Sequence, residues 1–291
     1  MSELVLSPAA ARALLEWQIA MGADEAIGEI ALDRLAPPPE IAPPAPLPTP
    51  LREPESPTTA TKSRPPLATG QRVAPPGALA ESPAEAAQSA RLLAAGAPTI
   101  EALGGLVANF DLCPLKRTAT NTVFIDGNPA APVLIIGEAP GADEDRIGRP
   151  FVGRAGQLLD RMLAAIDFDR TTVQITNVIY WRPPGNRKPT SAEIAACLPF
   201  VMRHIALARP RVLVLAGGTA ATALLPTSDG ITRLRGRWCE LTVPGLDAPV
   251  PTLPMFHPAF LLRSPERKRE AWRDLLALRA RFDAAAEGGE G

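Results

Sequence analysis

Across residues 98–284, short apolar runs alternate with segments whose apolar positions recur every three or four residues. The runs "APVLII" ahead of Gly137, "TTVQITNVI" (171–179), "RVLVLAG" (211–217) and "VPTLPMFH" (250–257) have the length and content of buried strands. Between them the helical period predicts helices ending at Ala108 and spanning 156–166, 191–208 and the stretch "TAATALL". A closing helix opens on "SPERKREAWRDLL", with Ser264 as N-cap and Pro265 and Glu266 in its first turn, where a missing donor and a negative charge both fit. Strands alternating with helices predict an α/β fold of three layers, α/β/α, around a central, mostly parallel, four-stranded sheet. Ligands of such sheets bind beyond the carboxyl ends of the strands. The unusual segments lie there: "GEAPGADED", "TNVIYWRPPGNRKPT", "AGGTA" and "FHPAFLLRSP".

Composition divides the chain before it says anything about partners. Fourteen of the 34 prolines fall between Ala36 and Gly77, in a stretch without aromatic residues or periodicity, so residues 36–90 are expected to be a disordered, Pro/Ala-rich linker. Ahead of it, residues 1–35 carry an amphipathic helical pattern, with Ser7 and Pro8 at its start and Leu14, Leu15, Trp17, Ile19 and Met21 on it. Two readings stand for that helix: a docking element for a protein partner, or a helix that packs back on the core. The folded domain is expected over 91–284, with a tail at 285–291. Net charge is −5 for residues 1–90, +6 for 91–284 and −2 beyond, within a formal −1 overall. The domain's cations are mostly arginine, which suits phosphate contacts. No secretory pattern opens the chain and no apolar run approaches membrane-spanning length, so a cytoplasmic, membrane-free monomer is expected. Three scattered cysteines, Cys113, Cys197 and Cys239, exclude a disulfide framework.

Residues 137–156, "GEAPGADEDRIGRPFVGRAG", hold five glycines and four acids at the mouth of a strand, so a ligand can approach the backbone closely there. Phe151 in this loop reads either as a core residue or as a platform for a planar ligand. Asn177, at the end of the second strand, reads as a turn former or as a two-point hydrogen-bonding group. Of the two histidines, His204 sits inside a helix and reads as structural, whereas His257 lies at a strand's carboxyl end beside a proline.

Three motifs in order, "GEAPGADEDRIGRPFVGRAGQLLDRML", "ITNVIYWRPPGNRKPT" and "HPAFLLRSP", resemble the uracil-DNA glycosylase superfamily, and specifically its family 4, the iron-sulfur type. The resemblance spans about residues 105–280 and implies a uracil-DNA glycosylase-like fold and a monofunctional repair hydrolase that flips uracil out of DNA, cuts its N-glycosidic bond and leaves an abasic site. By that resemblance Gly137 and Gly141 admit the base and sugar to the main chain, Phe151 stacks on the flipped uracil, and Asn177 reads its O4 and N3 edge. His257 would stabilise negative charge at O2, and Glu138 would position water or stabilise an oxocarbenium-like sugar. The related family 1 has an Asp one place later, where this chain has Ala139, so water activation differs. At least two of Asp143, Glu144 and Asp145 are expected to brace the loop through hydrogen bonds. Leu261, Leu262 and Arg263 would form a minor-groove wedge, and Arg154, Arg182, Arg187 and Lys188 phosphate contacts.

The resemblance breaks at the cofactor. Family 4 implies four cysteines around a 4Fe-4S cluster, but only Cys113 and Cys197 stand at matching positions; Phe110 and Trp181 occupy the other two. The cluster is therefore expected to be absent or incompletely ligated, with Cys113 and Cys197 as remnant ligand positions, and the chemistry itself requires no cofactor. The competing reading is a catalytically weakened DNA-binding or interaction protein that keeps the fold. A nucleotide-binding enzyme using "LAGGTAA" fits less well, because neither G-x-G-x-x-G nor a Walker lysine is present.

Overall fold

The computed structural model describes residues 82–287. The helix expected over 1–35 and nearly all of the Pro-rich segment lie outside the described residues.

Four parallel strands form the middle of the sheet: β2 (Val133–Gly137), β3 (Val173–Asn177), β4 (Val212–Ala216) and β6 (Val250–Met255). Two short antiparallel edges, β1 (Asp126–Gly127) on β3 and β5 (Cys239–Leu241) on β6, complete the order β1-β3-β2-β4-β6-β5. The sheet thus has six strands where the sequence predicts four. Edges of two and three residues are too short to carry a period, and only pairing with a neighbour defines them.

Strand alternation builds the three layers. Leu134 and Ile136 of β2 and Leu213 and Leu215 of β4 enter one core, while Val133, Ile135, Val212 and Val214 enter the other. The first core lies under α1 (Pro83–Ala95), α2 (Ile100–Ala108) and α5 (Ser191–Ala208). The second lies under α4 (Arg154–Ala164) and α9 (Lys268–Glu287). Between these, the short helices α3 (Ala142–Ile147), α6 (Gly218–Leu224), α7 (Ile231–Leu234) and α8 (Pro258–Arg263) lie in the connections.

Several expected boundaries shift for physical reasons. α1 begins inside the segment assigned to the linker, at a complete capping box in which Ser82 and Glu85 satisfy each other's backbone N–H. Its buried residues Ala86, Ala90 and Ala94 recur every four positions and let it lie close against α5. An alanine stripe is too weakly apolar to announce itself in the sequence. α5 is long and apolar enough by composition to cross a membrane, contrary to the expectation that no run approaches that length. In the fold its Cys197, Phe200, Val201 and Ile205 are buried. At the far end, Pro265–Arg267 form a 3-10 turn without a side-chain cap from Ser264, and α9 starts at Lys268 and runs to Glu287, into the expected tail.

Ala90 is fully buried, so Ala90→Leu would overpack the α1–α5 contact and lower the unfolding free energy by about 1–3 kcal/mol. Urea denaturation of the full chain measures this, and an unchanged midpoint would mean that α1 is not part of the core.

Candidate active site

A cavity of about 420 Å³ opens at the carboxyl ends of the parallel strands. Three of the four parallel strands contribute to it through the residue at their end or the turn that follows: Glu138 after β2, Asn177 at the end of β3, and His257 after β6. Phe151, Gly141 and Arg263 close its sides.

Register brings the first pair together. Gly137 of β2 lies directly across from Asn177 of β3. A Cβ on Gly137 would fall 2.4 Å from Asn177 Oδ1 and 2.6 Å from Phe151 Cζ. Glycine is needed here so that these two side chains can occupy the space beside it. The resemblance gave Gly137 a place against the ligand; the geometry gives it this packing role, and Gly137 itself is not among the cavity walls. Asn177 is 2% exposed, and its Oδ1 is buried without a hydrogen-bond partner among the described residues. Such an acceptor is costly unless something donates to it.

Phe151 is held in an unfavourable backbone conformation, with φ at +54°. Polar groups on both sides hold it there. Glu144 Oε1 accepts from the N–H groups of Val152 (2.9 Å) and Gly153 (2.8 Å), and its Oε2 accepts from Gly141 N–H at 3.1 Å. Arg170 donates to the Phe151 carbonyl while pairing with Asp126 and Asp160. A Cβ on Gly156 would lie 1.7 Å from the same carbonyl, so α4 can start under the loop only with glycine there. Gly141 likewise accommodates Glu144, whose Oε2 would be 2.7 Å from an added Cβ. Asp145 accepts from Thr120 and Asn121 N–H at 2.8 and 3.1 Å. Glu144 and Asp145 therefore brace the loop, as the sequence leads one to expect, whereas Arg170 in "DFDRTT" carries no sequence signal.

His257 caps α8: its Nδ1 accepts from Ala259 N–H at 3.1 Å, which leaves the ring proton of the neutral imidazole on Nε2. Burial, with the charge of Arg263 beside it, pushes its pKa down to about 4. The imidazole is thus neutral at pH 7. Its ring stacks on Phe151 with centroids 5.3 Å apart and planes 27° apart. His204 is structural: it is buried in the first core, with Nε2 3.2 Å from Gln174 Oε1, and burial pushes it to about 4 as well. Glu138 Oε2 accepts from the Thr219 hydroxyl at 2.5 Å, a partner that the sequence did not suggest.

The expected DNA-contacting residues divide. Arg154 is exposed at the first position of α4, and Lys188 and Arg263 are exposed on the cavity rim. Arg182 is half-buried and donates to Asn186 Oδ1 at 2.7 Å. Arg187 differs from expectation: its guanidinium makes a two-point pair with Glu193, at 2.9 and 2.6 Å, which also holds the Glu193 carboxyl below its usual range. Its fork thus braces the start of α5 from the exposed rim of the cavity. Leu261 must also be removed from the wedge, because it is 1% exposed and packs in the second core; one turn of α8 cannot turn both leucines outward. Leu262, half-buried, and Arg263 remain at the surface.

The four positions matching cluster ligands converge in the first core. Phe110, Cys113, Trp181 and Cys197 are all buried there. Phe110 packs edge-on against Phe200 with ring centroids at 5.1 Å, and Trp181 Nε1 donates to Thr122 Oγ1 at 3.0 Å. The neighbouring Cys113 thiol and burial push the Cys197 thiol well up. Among the described residues no group of three or more His, Cys, Asp or Glu side chains is arranged to hold a metal. Two thiols and two packed aromatics do not match the four-thiolate set that a 4Fe-4S cluster takes.

Comparison with known proteins agrees with this geometry. The model of the uracil DNA glycosylase superfamily matches residues 124–276. The type-4 uracil-DNA glycosylase of Pyrobaculum aerophilum is 38% identical over 180 residues, covering 60% of this chain and 91% of that protein. Those of Archaeoglobus fulgidus and Thermotoga maritima are each 41% identical, over 54% and 52% of this chain and 80% and 77% of theirs. By these matches and by the cavity at its strand ends, the chain belongs to the uracil-DNA glycosylase superfamily and, within it, to the type-4 family.

Proposed function

We propose that this chain excises uracil from DNA by hydrolysis, with Asn177 reading the base, Phe151 stacking on it, His257 stabilising the departing anion and Glu138 serving the water. The observation that carries this reading is the buried Asn177 Oδ1 without a partner, in a cavity walled by an aromatic ring. Uracil offers an N3–H donor to that oxygen and an O4 acceptor to the amide nitrogen. Cytosine presents the reverse edge.

The steps follow from the charges. As the C1′–N1 bond breaks, both its electrons leave with the base, and negative charge grows on O2. The neutral His257 donates its Nε2–H there, so the interaction strengthens as the charge develops. Positive charge grows on the sugar, and the Glu138 carboxylate faces it. Water oxygen then bonds to C1′, and its proton passes to the carboxylate or to the leaving base. No covalent nucleophile is required. Arg154, Arg182 and Lys188 would meet phosphates, and Leu262 with Arg263 the minor groove opened by the flipped base. Glu138, Phe151, Asn177 and His257 all line one cavity, and no observation favours a binding protein that has lost its chemistry.

The chain does this without an iron-sulfur cluster. In this reading Cys113 and Cys197 are packing residues, and Phe110 and Trp181 fill the volume. Anaerobically purified protein is expected to lack the broad visible absorption of a 4Fe-4S centre; iron near four atoms per chain, a cluster's content, would remove this part of the reading.

Asn177→Asp, when ionised, turns the donor facing uracil O4 into an acceptor, a mismatch of about 1–3 kcal/mol. Uracil excision should fall roughly tenfold or more, with a detectable gain on cytosine in a mispair. Single-turnover assays on the two substrates measure both, and a folded variant working at the parental rate would show that Asn177 does not read the base.

His257 and His204 are both pushed to about 4 from an ordinary 6.5. As pH falls from 7 to 5.5 the unfolded chain takes up protons that the folded chain does not, so stability is lost in that direction. The urea midpoint should drop over this range while nitrogen NMR shows His257 neutral, with its proton on Nε2. An imidazolium at His257 at pH 7 would contradict the mechanism.

A further inference from the structure

We propose that Thr219 is a positioning residue for catalysis, holding the Glu138 carboxylate so that one chosen oxygen faces the scissile bond; this rests on the glycosylase reading above. Thr219 is the second residue of α6, in the segment "AGGTA" that follows β4. Its hydroxyl donates to Glu138 Oε2 at 2.5 Å, in the range of charge-assisted O–H···O⁻ bonds. An ionised carboxylate can only accept, so the hydroxyl proton is committed to it. Oε1 makes no hydrogen bond among the described residues and is the oxygen left for water.

The backbone around Thr219 is anchored on the strand that carries the imidazole. Gly217 adopts φ +100°, its N–H donates to Met255 O at 2.9 Å, and an added Cβ would stand 3.0 Å from His257 Cβ. β4 lies between β2 and β6 in the sheet. A hydroxyl on the middle strand's turn therefore ties the acid that follows β2 to the same backbone frame as the histidine that follows β6. Carboxylate and imidazole act at opposite ends of the breaking bond, so a fixed relation between them matters to the rate. Binding of DNA does not depend on it.

The test is a double-mutant cycle in the full chain. Thr219→Val, Thr219→Ala and Thr219→Ser are made in the parent and in Glu138→Ala, and single-turnover excision from a uracil-containing oligonucleotide is measured beside equilibrium affinity for the same DNA. Loss of a hydrogen bond to a charged group should slow excision about tenfold or more in Thr219→Val and Thr219→Ala. Thr219→Ser should recover most of the rate, and DNA affinity of the three Thr219 variants should stay at the value of the background in which each is made. In Glu138→Ala, removing the hydroxyl should have no further effect. Equal losses in both backgrounds, a loss confined to DNA affinity, or parental rates in both hydroxyl-free variants would each overturn the proposal. Parental excision by Glu138→Ala alone would instead withdraw the acid from the mechanism, and no uracil excision by the parent chain would withdraw the function itself.

Discussion

The space beside Gly137 is the constraint from which the site follows. β2 and β3 pair in a register that sets Gly137 against Asn177, and no side chain fits between them once the Phe151 ring has entered. Any Cβ there would push apart the group that reads the base edge and the group that stacks on its face. The Phe151 backbone is left-handed, a conformation that costs a bulky residue free energy. Glu144 and Arg170 offset that cost through hydrogen bonds on either side of it.

The four acids of the glycine-rich loop divide by what touches them. Glu144 has both oxygens taken by main-chain N–H groups, Asp145 accepts from two more, and Asp143 pairs with Arg146 at the surface. Glu138 accepts from a single hydroxyl and borders the cavity. Acidity in this stretch mostly replaces hydrogen bonds that an irregular backbone cannot make to itself. Of the two acids that line the cavity, Glu138 and Glu144, only Glu138 is left with an oxygen for chemistry. The histidines show the same economy: a cap on Ala259 N–H selects the tautomer of His257, and the apolar wall keeps it uncharged.

On the opposite face of the sheet, Tyr180 and Trp181 continue directly from β3 into the core that contains Cys113 and Cys197. Edge-on aromatic contacts at 5.1 and 6.0 Å and the Trp181 indole bond to Thr122 hold this region together. Aromatic pairs of this kind add about 0.5–1.5 kcal/mol each beyond their buried area. The segment that leads from Asn177 to the rim at Arg182 and Lys188 is thereby anchored beneath the site.

The sequence by itself determined the layered fold and the location of the site, because apolar runs of five or six residues and glycine-rich turns are local signals that survive without tertiary contacts. β2 and α5 match their expected spans, and Glu138, Gly141, Phe151, Asn177 and His257 meet in one cavity or at its wall. Only the tertiary structure decided what those residues touch. Arg187 was legible as a cation but not as the partner of Glu193, and Leu261 as an apolar residue in a loop motif but not as part of the second core. Gly137 was legible as permissive backbone, though its necessity comes from side chains 14 and 40 positions away. Arg170 gave no sign and Thr219 only its place in "AGGTA", since each acts on a group brought to it by the pairing of distant strands or the packing of a loop. Hydrogen bonds between residues 19 and 81 apart in the chain have no local period to reveal them.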